Sequence, residues 1–159
     1  MRITIGSDHA GYELKKVLAD FLGGQGHQVR DVGTNSTAAV DYPDFAEAVG
    51  VSVLRGESER GILICGSGVG AAVAANKIPG IRAGQCHDTY SAHQGVEHDD
   101  VNVLVLGARV IGVELAKELC ATFLRANFTA EERHQRRLAK TLSIEQRYAA
   151  TAAARKKEP

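Results

Sequence analysis

The sequence predicts a single-domain α/β protein built on a doubly wound, Rossmann-like sheet of five parallel strands. Apolar runs alternate with helical patterns along the chain, and two glycine-rich turns each follow an apolar run and precede a helix. The length of 159 residues suits one hydrophobic core. Right-handed crossovers leave few topologies, and we expect the strand order 2-1-3-4-5, with the domain over residues 1–148 and a helical or frayed tail over residues 149–159.

Apolar periodicity and helix-ending residues predict the first two β–α units. Residues 2–6 form an apolar strand candidate, and residues 12–21 place leucine, valine and phenylalanine on one helical face before a Gly-Gly pair. A short strand over residues 27–32 leads through a polar loop to a second helix. This helix, over residues 43–56, begins with a proline and ends at a glycine.

Three further strands follow after residue 60. Residues 62–65 are continuously apolar, as expected of a strand that is buried on both faces. The next glycine loop leads into a helix over residues 71–77, which a Pro-Gly pair ends. Residues 81–86 and 101–106 supply the last two strands. Helices complete the pattern at residues 88–98, at residues 113–123 and from residue 130 onward.

Composition excludes several classes of function. Lys plus Arg and Asp plus Glu both number 19, so the net charge is zero and predicts no general attraction to nucleic acid or to anionic membranes. Trp is absent and there are only four Tyr and four Phe, which argues against a surface that stacks single-stranded bases. No apolar run has the length of a signal peptide or a membrane span. We therefore expect a cytoplasmic protein.

Two glycine-rich loops are the strongest candidates for a site. Residues 6–11 read GSDHAG after the first strand, and residues 65–70 read CGSGVG after the third. In the predicted order these loops flank the point where the sheet reverses direction, which is where open α/β folds bind ligands. Asp8 could instead simply cap a turn, and the glycines could simply permit tight packing. If the loops instead bind a ligand, we expect an anion held by backbone N–H groups at a helix N-terminus.

The second loop also fits a dinucleotide fingerprint. Residues 66–71 match G-x-G-x-x-A, and Asp88 follows Gly68 by 20 residues. Two observations count against this interpretation: the loop follows the third strand rather than the first, and the chain is too short for a second, substrate-binding domain. Asp88 is expected at the start of a helix. A non-catalytic nucleotide-binding module remains the alternative from another class of function.

The three cysteines are predicted to act as individual thiols. Cys65, Cys86 and Cys120 are odd in number and have no CxxC spacing, so neither a disulfide framework nor a metal site is expected. Cys86 and Cys120 are expected in the core. Cys65 differs because a glycine loop and a helix N-terminus would favour its thiolate, which can act as a base or a nucleophile.

Six motifs occur in the order of one known family. They are GSDHAG at residues 6–11, DYP at 41–43, CGSGVG with AANK at 65–70 and 74–77, GIRA at 80–83, LGAR at 106–109 and RHQRR at 133–137. Together they resemble type B ribose-5-phosphate isomerases, over residues 2 to about 148. The same superfamily holds galactose-6-phosphate isomerase subunits and allose-6-phosphate isomerases.

The resemblance implies an enzyme that interconverts ribose 5-phosphate and ribulose 5-phosphate through an enediolate, in the pentose phosphate pathway and without cofactor or metal. An isomerase of a six-carbon sugar phosphate is the alternative. The resemblance also implies a homodimer, or a tetramer of two dimers, with the site at the subunit interface and the long C-terminal helix packed on the partner.

Particular residues take roles by the same resemblance. Cys65 matches the family's base, Ser67 holds a position that is usually Thr, and His98 matches the ring-opening histidine, with Asp8 able to assist it. Asp99 departs from the family's Asn and replaces an amide donor with an acceptor-only carboxylate. Phosphate contacts are implied for His9, Arg109, Arg133 and Arg137. The remaining predicted substrate contacts are Tyr42, Gly66, Gly68, Val69 and Gly70.

Overall fold

The computed structural model describes residues 1–155, with side chains described through residue 149. All eleven predicted elements are present. The strands are β1 Arg2–Ser7, β2 Gln28–Asp31, β3 Arg60–Cys65, β4 Ala83–Gln85 and β5 Val103–Gly107. The helices are α1 Tyr12–Gly24, α2 Tyr42–Leu54, α3 Val69–Ala75, α4 Thr89–Asp99, α5 Val113–Arg125 and α6 Glu132–Arg155. The predicted tail is therefore helical as far as Arg155, and residues 156–159 lie outside the described range.

The sheet is entirely parallel, and its order is β2-β1-β3-β5-β4. The predicted order 2-1-3-4-5 is wrong in its last two places, because β5 and not β4 pairs with β3, with Gly61 opposite Val103 and Cys65 opposite Gly107. The physical reason lies in composition. All five residues of β5 are buried, as a central strand requires, whereas β4 has three residues and none of them is buried.

The reversal point is unaffected by this exchange. β1 still lies between β2 and β3, so the chain turns outward in opposite directions after β1 and after β3. The loops that follow these two strands are consequently brought together at the carboxyl edge of the sheet, as predicted.

The core is divided between the two faces of the sheet. Ile3 and Ile5 of β1 face a cluster formed with α1, α4 and α5. Leu63 and Cys65 of β3 face the opposite cluster, formed with α2 and α3. This alternation follows from the two-residue period of a strand, and it places helices on both faces.

The C-terminal helix α6 is the longest element, with 24 residues. It contacts α4, and two of its large apolar side chains, Ile144 and Tyr148, are exposed. Within residues 1–155 the structure contains no helix that is both long enough and apolar enough to cross a membrane.

Candidate active site

A cleft of about 550 Å³ opens at the carboxyl edge of the sheet, where the loops after β1, β3 and β5 meet. Most of the residues that the sequence singled out for chemistry line it. The lining residues are Asp8, His9, Ala10, Tyr42, Cys65, Gly66, Ser67, Val69, Gly70, Arg109 and Val110.

Cys65 ends β3 and is almost fully buried at the base of this cleft. The N–H of Gly68 donates to its Sγ at 3.2 Å. Gly68 reaches this position with φ +86°, a left-handed conformation that favours glycine. Of the loop amides proposed to cradle an anion, that of Gly68 therefore contacts the sulfur, and that of Val69 contacts Oγ of Ser67 at 3.3 Å.

Asp8 both caps the turn before α1 and lines the cleft. Its Oδ1 accepts from the N–H groups of Ala10 and Gly11, at 3.0 and 3.1 Å. The side chain is 6% exposed. The two interpretations that the sequence left open are thus compatible, because one carboxylate oxygen fixes the loop and the residue still borders the ligand space.

His9 is held by the loop between β2 and α2. Its Nδ1 lies 3.2 Å from both the backbone O and the backbone N of Val40, so Nδ1 is occupied by this loop. The loop itself is anchored by Lys15, a lysine that is 2% exposed. Lys15 Nζ donates to both carboxylate oxygens of Asp31, at 2.7 and 2.6 Å, and to the carbonyl of Thr34 at 2.7 Å.

Arg109 and Tyr42 border the cleft on either side of the glycine loop. The N–H of Arg109 donates to the carbonyl of Gly66, and its guanidinium lies so close that a Cβ on Gly66 would be 3.7 Å from Cζ. The ring of Tyr42 covers Gly70, where a Cβ would lie only 2.8 Å from the tyrosine Cζ. Gly70 is therefore required for this close approach.

Cys86 and Cys120 lie in the core, as predicted. All three cysteines lie in the described range and are free thiols. Burial raises the pKa of Cys86 to about 11, with a further contribution from Asp88, and burial raises the pKa of Cys120 to about 12. Both thiols are protonated at neutral pH. Asp88 begins α4, as expected, and accepts from the N–H of Ser91.

The other predicted site residues lie elsewhere. His98 and Asp99 end α4 shortly before β5 begins, which places them at the amino edge of the sheet, opposite the cleft. Asp99 borders a different groove, of about 660 Å³, between α6 and the segment joining α3 to β4. Nδ1 of His98 lies 2.7 Å from Nε2 of Gln94.

Arg133 and Arg137 lie on the first turns of α6, near His98. The helix is positioned there by Thr129, whose N–H donates to the carbonyl of Glu97. Arg133 forms an ion pair with Glu131 at 2.9 Å, and both arginines are exposed. Their i and i+4 spacing places them on one helical face, as predicted.

His134 is a residue that sequence reasoning left without a role. It lies inside the RHQRR motif, yet it is 1% exposed and its ring stacks on His98 with centroids 4.0 Å apart. Its Nδ1 lies 2.8 Å from Oγ1 of Thr129. Burial lowers the pKa of His134 and is the largest cause; the neighbouring His98 and Arg133 lower this pKa further. Helical spacing gave no signal of this burial, since residues 134 and 137 are three positions apart and lie on adjoining parts of one helical face.

Comparisons with known proteins agree with the motifs. Residues 3–141 match the family described as Ribose/Galactose Isomerase. The chain is 45% identical to Ribose-5-phosphate isomerase B of Escherichia coli, covering 92% of this chain and 97% of that protein. It is 44% identical to D-erythrulose-4-phosphate isomerase of Pectobacterium atrosepticum, covering 80% and 85%. The solved structure of ribose-5-phosphate isomerase B from Clostridium thermocellum superposes with a TM-score of 0.91 at 49% identity, covering 93% and 99%.

Proposed function

Because the chain belongs to the ribose/galactose isomerase family, we propose that it interconverts D-ribose 5-phosphate and D-ribulose 5-phosphate, the reaction of the pentose phosphate pathway. One observation carries this proposal: a single cleft combines the buried Cys65 thiol with two cationic or ionisable groups, His9 and Arg109. Isomerisation of a sugar phosphate needs a base for proton transfer and cationic groups that bind the phosphate.

Cys65 acts as the base of the proposed reaction. Its thiolate takes the proton from C2 of the open-chain aldose, and the electron pair of that C–H bond forms the enediolate. The thiol then returns the proton to C1, while the hydroxyl proton moves from O2 to O1, so that no external oxidant or reductant is needed. The oxyanion is stabilised by the hydroxyl of Ser67 and by those amides of the loop over residues 66–70 that are not already bonded to Cys65 or Ser67.

The phosphate is bound by cations from two regions. His9 and Arg109 border the cleft, and Arg109 lies against Gly66 at its rim. Arg133 and Arg137 complete the site, since two guanidinium groups one helical turn apart can grip one dianion. Tyr42 closes one wall over Gly70.

A second subunit supplies the residues that one chain keeps at the opposite edge. We propose a homodimer in which His98, Asp99, Arg133 and Arg137 of one chain reach the cleft of the other, with His98 opening the sugar ring together with Asp8. Exposed apolar side chains support an association surface beside the cleft and on α6. They are Tyr42, Val69 and Val73 beside the cleft, and Ile144 and Tyr148 on α6.

The test is conversion of ribose 5-phosphate to ribulose 5-phosphate by purified protein in EDTA, with allose 6-phosphate and D-erythrulose 4-phosphate run alongside. We expect turnover of the five-carbon substrate to exceed that of the other two. Faster turnover of allose 6-phosphate would keep the chemistry and reassign the substrate. Stabilisation by a nucleotide, with none by any sugar phosphate, would instead favour a nucleotide-binding module.

A further inference from the structure

The short edge strand β4 ends before its neighbour β5 does. Alternate groups of β5 bond to the β4 side: the N–H of Val103 donates to the carbonyl of Arg82, and the carbonyl of Val105 accepts from the N–H of Cys86. The N–H of Gly107 is next in this series. By that point β4 has ended, so no strand carbonyl continues the ladder.

His87 supplies the missing acceptor with its side chain. The N–H of Gly107 donates to Nε2 of His87 at 3.0 Å. This contact requires Nε2 to be unprotonated, which places the ring proton on Nδ1. The bond fixes the end of β5 two residues before Arg109, which borders the cleft.

Gln85, the last residue of β4, holds the other cleft loop. Its Nε2 donates to the carbonyl of Ser67 at 2.8 Å. The opposite amide orientation would set two carbonyl oxygens against each other, so the donor assignment follows from chemistry. The same side chain packs under Gly68, where a Cβ would lie 3.0 Å from Nε2, and the N–H of Gly68 is the group that contacts Cys65.

The two loops also touch each other. A Cβ on Gly107 would lie 2.5 Å from the carbonyl oxygen of Ser67, so their backbones are in close contact. Gln85, Ser67, Gly107 and His87 therefore form one continuous set of contacts behind the cleft.

We propose that Gln85 and His87 are positioning residues, which together hold the Cys65 loop and the Arg109 loop in the arrangement that catalysis requires. This inference rests on the proposed isomerase function for its kinetic consequences, although the contacts themselves can be tested without it. Gln85 acts through the loop that surrounds the base, and so influences the chemical step. His87 acts through the backbone before Arg109, and so influences phosphate binding.

The first test follows backbone amide exchange by NMR and needs no substrate. In His87→Leu, exchange of the Gly107 amide should accelerate about tenfold, because one hydrogen bond that protects it is lost. His87→Gln should restore protection, since its Oε1 lies as many bonds from Cβ as the histidine Nε2 does. Unchanged Gly107 exchange in His87→Leu would overturn the role of His87.

The matching test for Gln85 uses the Gly68 amide. Gln85→Leu should accelerate exchange of the Gly68 amide several-fold, because the hydrogen bond from Gln85 to the carbonyl of Ser67 no longer holds the loop. The acceleration should not exceed the effect of losing one hydrogen bond. Gln28→Leu is the matched control, since Gln28 is an exposed glutamine on the other edge strand, far from the cleft. Equal Gly68 exchange in both variants would overturn the role of Gln85. Should either leucine variant fail to fold, the alanine variants at 85 and 87 provide the same comparison.

The second test separates kcat from KM with ribose 5-phosphate. We expect Gln85→Leu to lower kcat about tenfold with little change in KM, and His87→Leu to raise KM about tenfold with a smaller change in kcat. His87→Gln should return KM toward that of the wild type. If the wild-type protein is active and both leucine variants have the same kcat and KM as the wild type, the positioning roles are overturned and the isomerase assignment stands. An inactive wild-type protein with the expected exchange changes would instead overturn the proposed function alone.

Discussion

The cleft and the histidine–arginine cluster at the amino edge are held in different ways. In the cleft, backbone groups fix the side chains: Asp8 accepts two amides, Cys65 accepts one, and His9 is held by the backbone of Val40. At the amino edge, His98 and Arg133 are positioned by other side chains, through His134, Gln94 and Glu131. Backbone groups of the chain therefore hold the cleft in place, whereas the second cluster depends on side-chain contacts and leaves Arg133 exposed.

The distance between the two regions follows from the sheet. β3 has six residues, and a strand rises about 3.3 Å per residue, so the Cα atoms of its first and last residues lie roughly 17 Å apart. Cys65 lies at one end of the sheet and His98 at the other. No side-chain rotation closes such a gap, which is why we propose that the two clusters meet across a subunit interface.

The largest effect is expected at Cys65, the proposed base. Cys65→Ala should lower kcat by about 10²- to 10⁴-fold, because a positioned base contributes that much to proton transfer. Binding of the sugar phosphate should survive. Cys120→Ser is the matched control: Cys120 is fully buried in the core, so an unpaired hydroxyl there should cost about 1–3 kcal/mol of stability and leave kcat unchanged. Normal turnover by Cys65→Ala would show that Cys65 is not the base and that the cleft is not the site of proton transfer.

Subunit mixing tests whether the two regions meet between chains. Cys65→Ala and His98→Ala should each be nearly inactive alone. When the two are co-expressed, random pairing makes half of the dimers mixed, and each mixed dimer has one intact site, so about a quarter of wild-type turnover should return. Purifying the mixed dimer with two different tags should raise this to about half. No recovery in the purified mixed dimer would contradict a shared site.

The sequence predicted the cleft better than it predicted the sheet. Glycine loops after apolar runs marked the carboxyl ends of β1 and β3, because tight turns and close approaches, such as Gly70 under Tyr42, need glycine. The exchange of β4 and β5 was missed because strand order depends on long-range pairing. The difference in burial between Ala83–Gln85 and Val103–Gly107 nevertheless agrees with their composition, since only the second segment is rich in Val and Leu.

Contacts that depend on tertiary structure were beyond the sequence. His87 bonds to Gly107 where β4 has already ended, and no local pattern indicates that the side chain of Gln85 will meet the Ser67 loop. His134 stacks on His98 across 36 positions of sequence, so its burial could not be predicted from the charged residues around it. The roles of all these residues in catalysis stay predictions.

A smaller effect is expected at the exposed arginines. Arg137→Ala should raise KM by about tenfold or more with kcat little changed, because a charge-assisted contact to phosphate contributes about 1.5–3 kcal/mol to both the ground state and the transition state. Arg136→Ala is the matched control, since Arg136 is an exposed arginine of the same motif that pairs with Glu132 and lies about 100° around the helix from Arg137. Equal KM values for these two variants would mean that Arg137 does not bind the phosphate and is an ordinary surface arginine.

The smallest effect is expected in the pH dependence of the free energy of unfolding, through His134 in the amino-edge cluster. Burial lowers the pKa of His134 below its ordinary value of 6.5, so between these two values the unfolded chain binds more protons than the folded one. The free energy of unfolding should therefore decrease as pH falls below about 6.5, and the loss should stop once the folded-state pKa is passed. His134→Phe keeps an aromatic ring against His98 but cannot titrate, so its stability should depend less on pH in this window. Urea unfolding of both proteins between pH 7.5 and about 5 measures the difference, and parallel curves would mean that His134 is not what couples this cluster to pH.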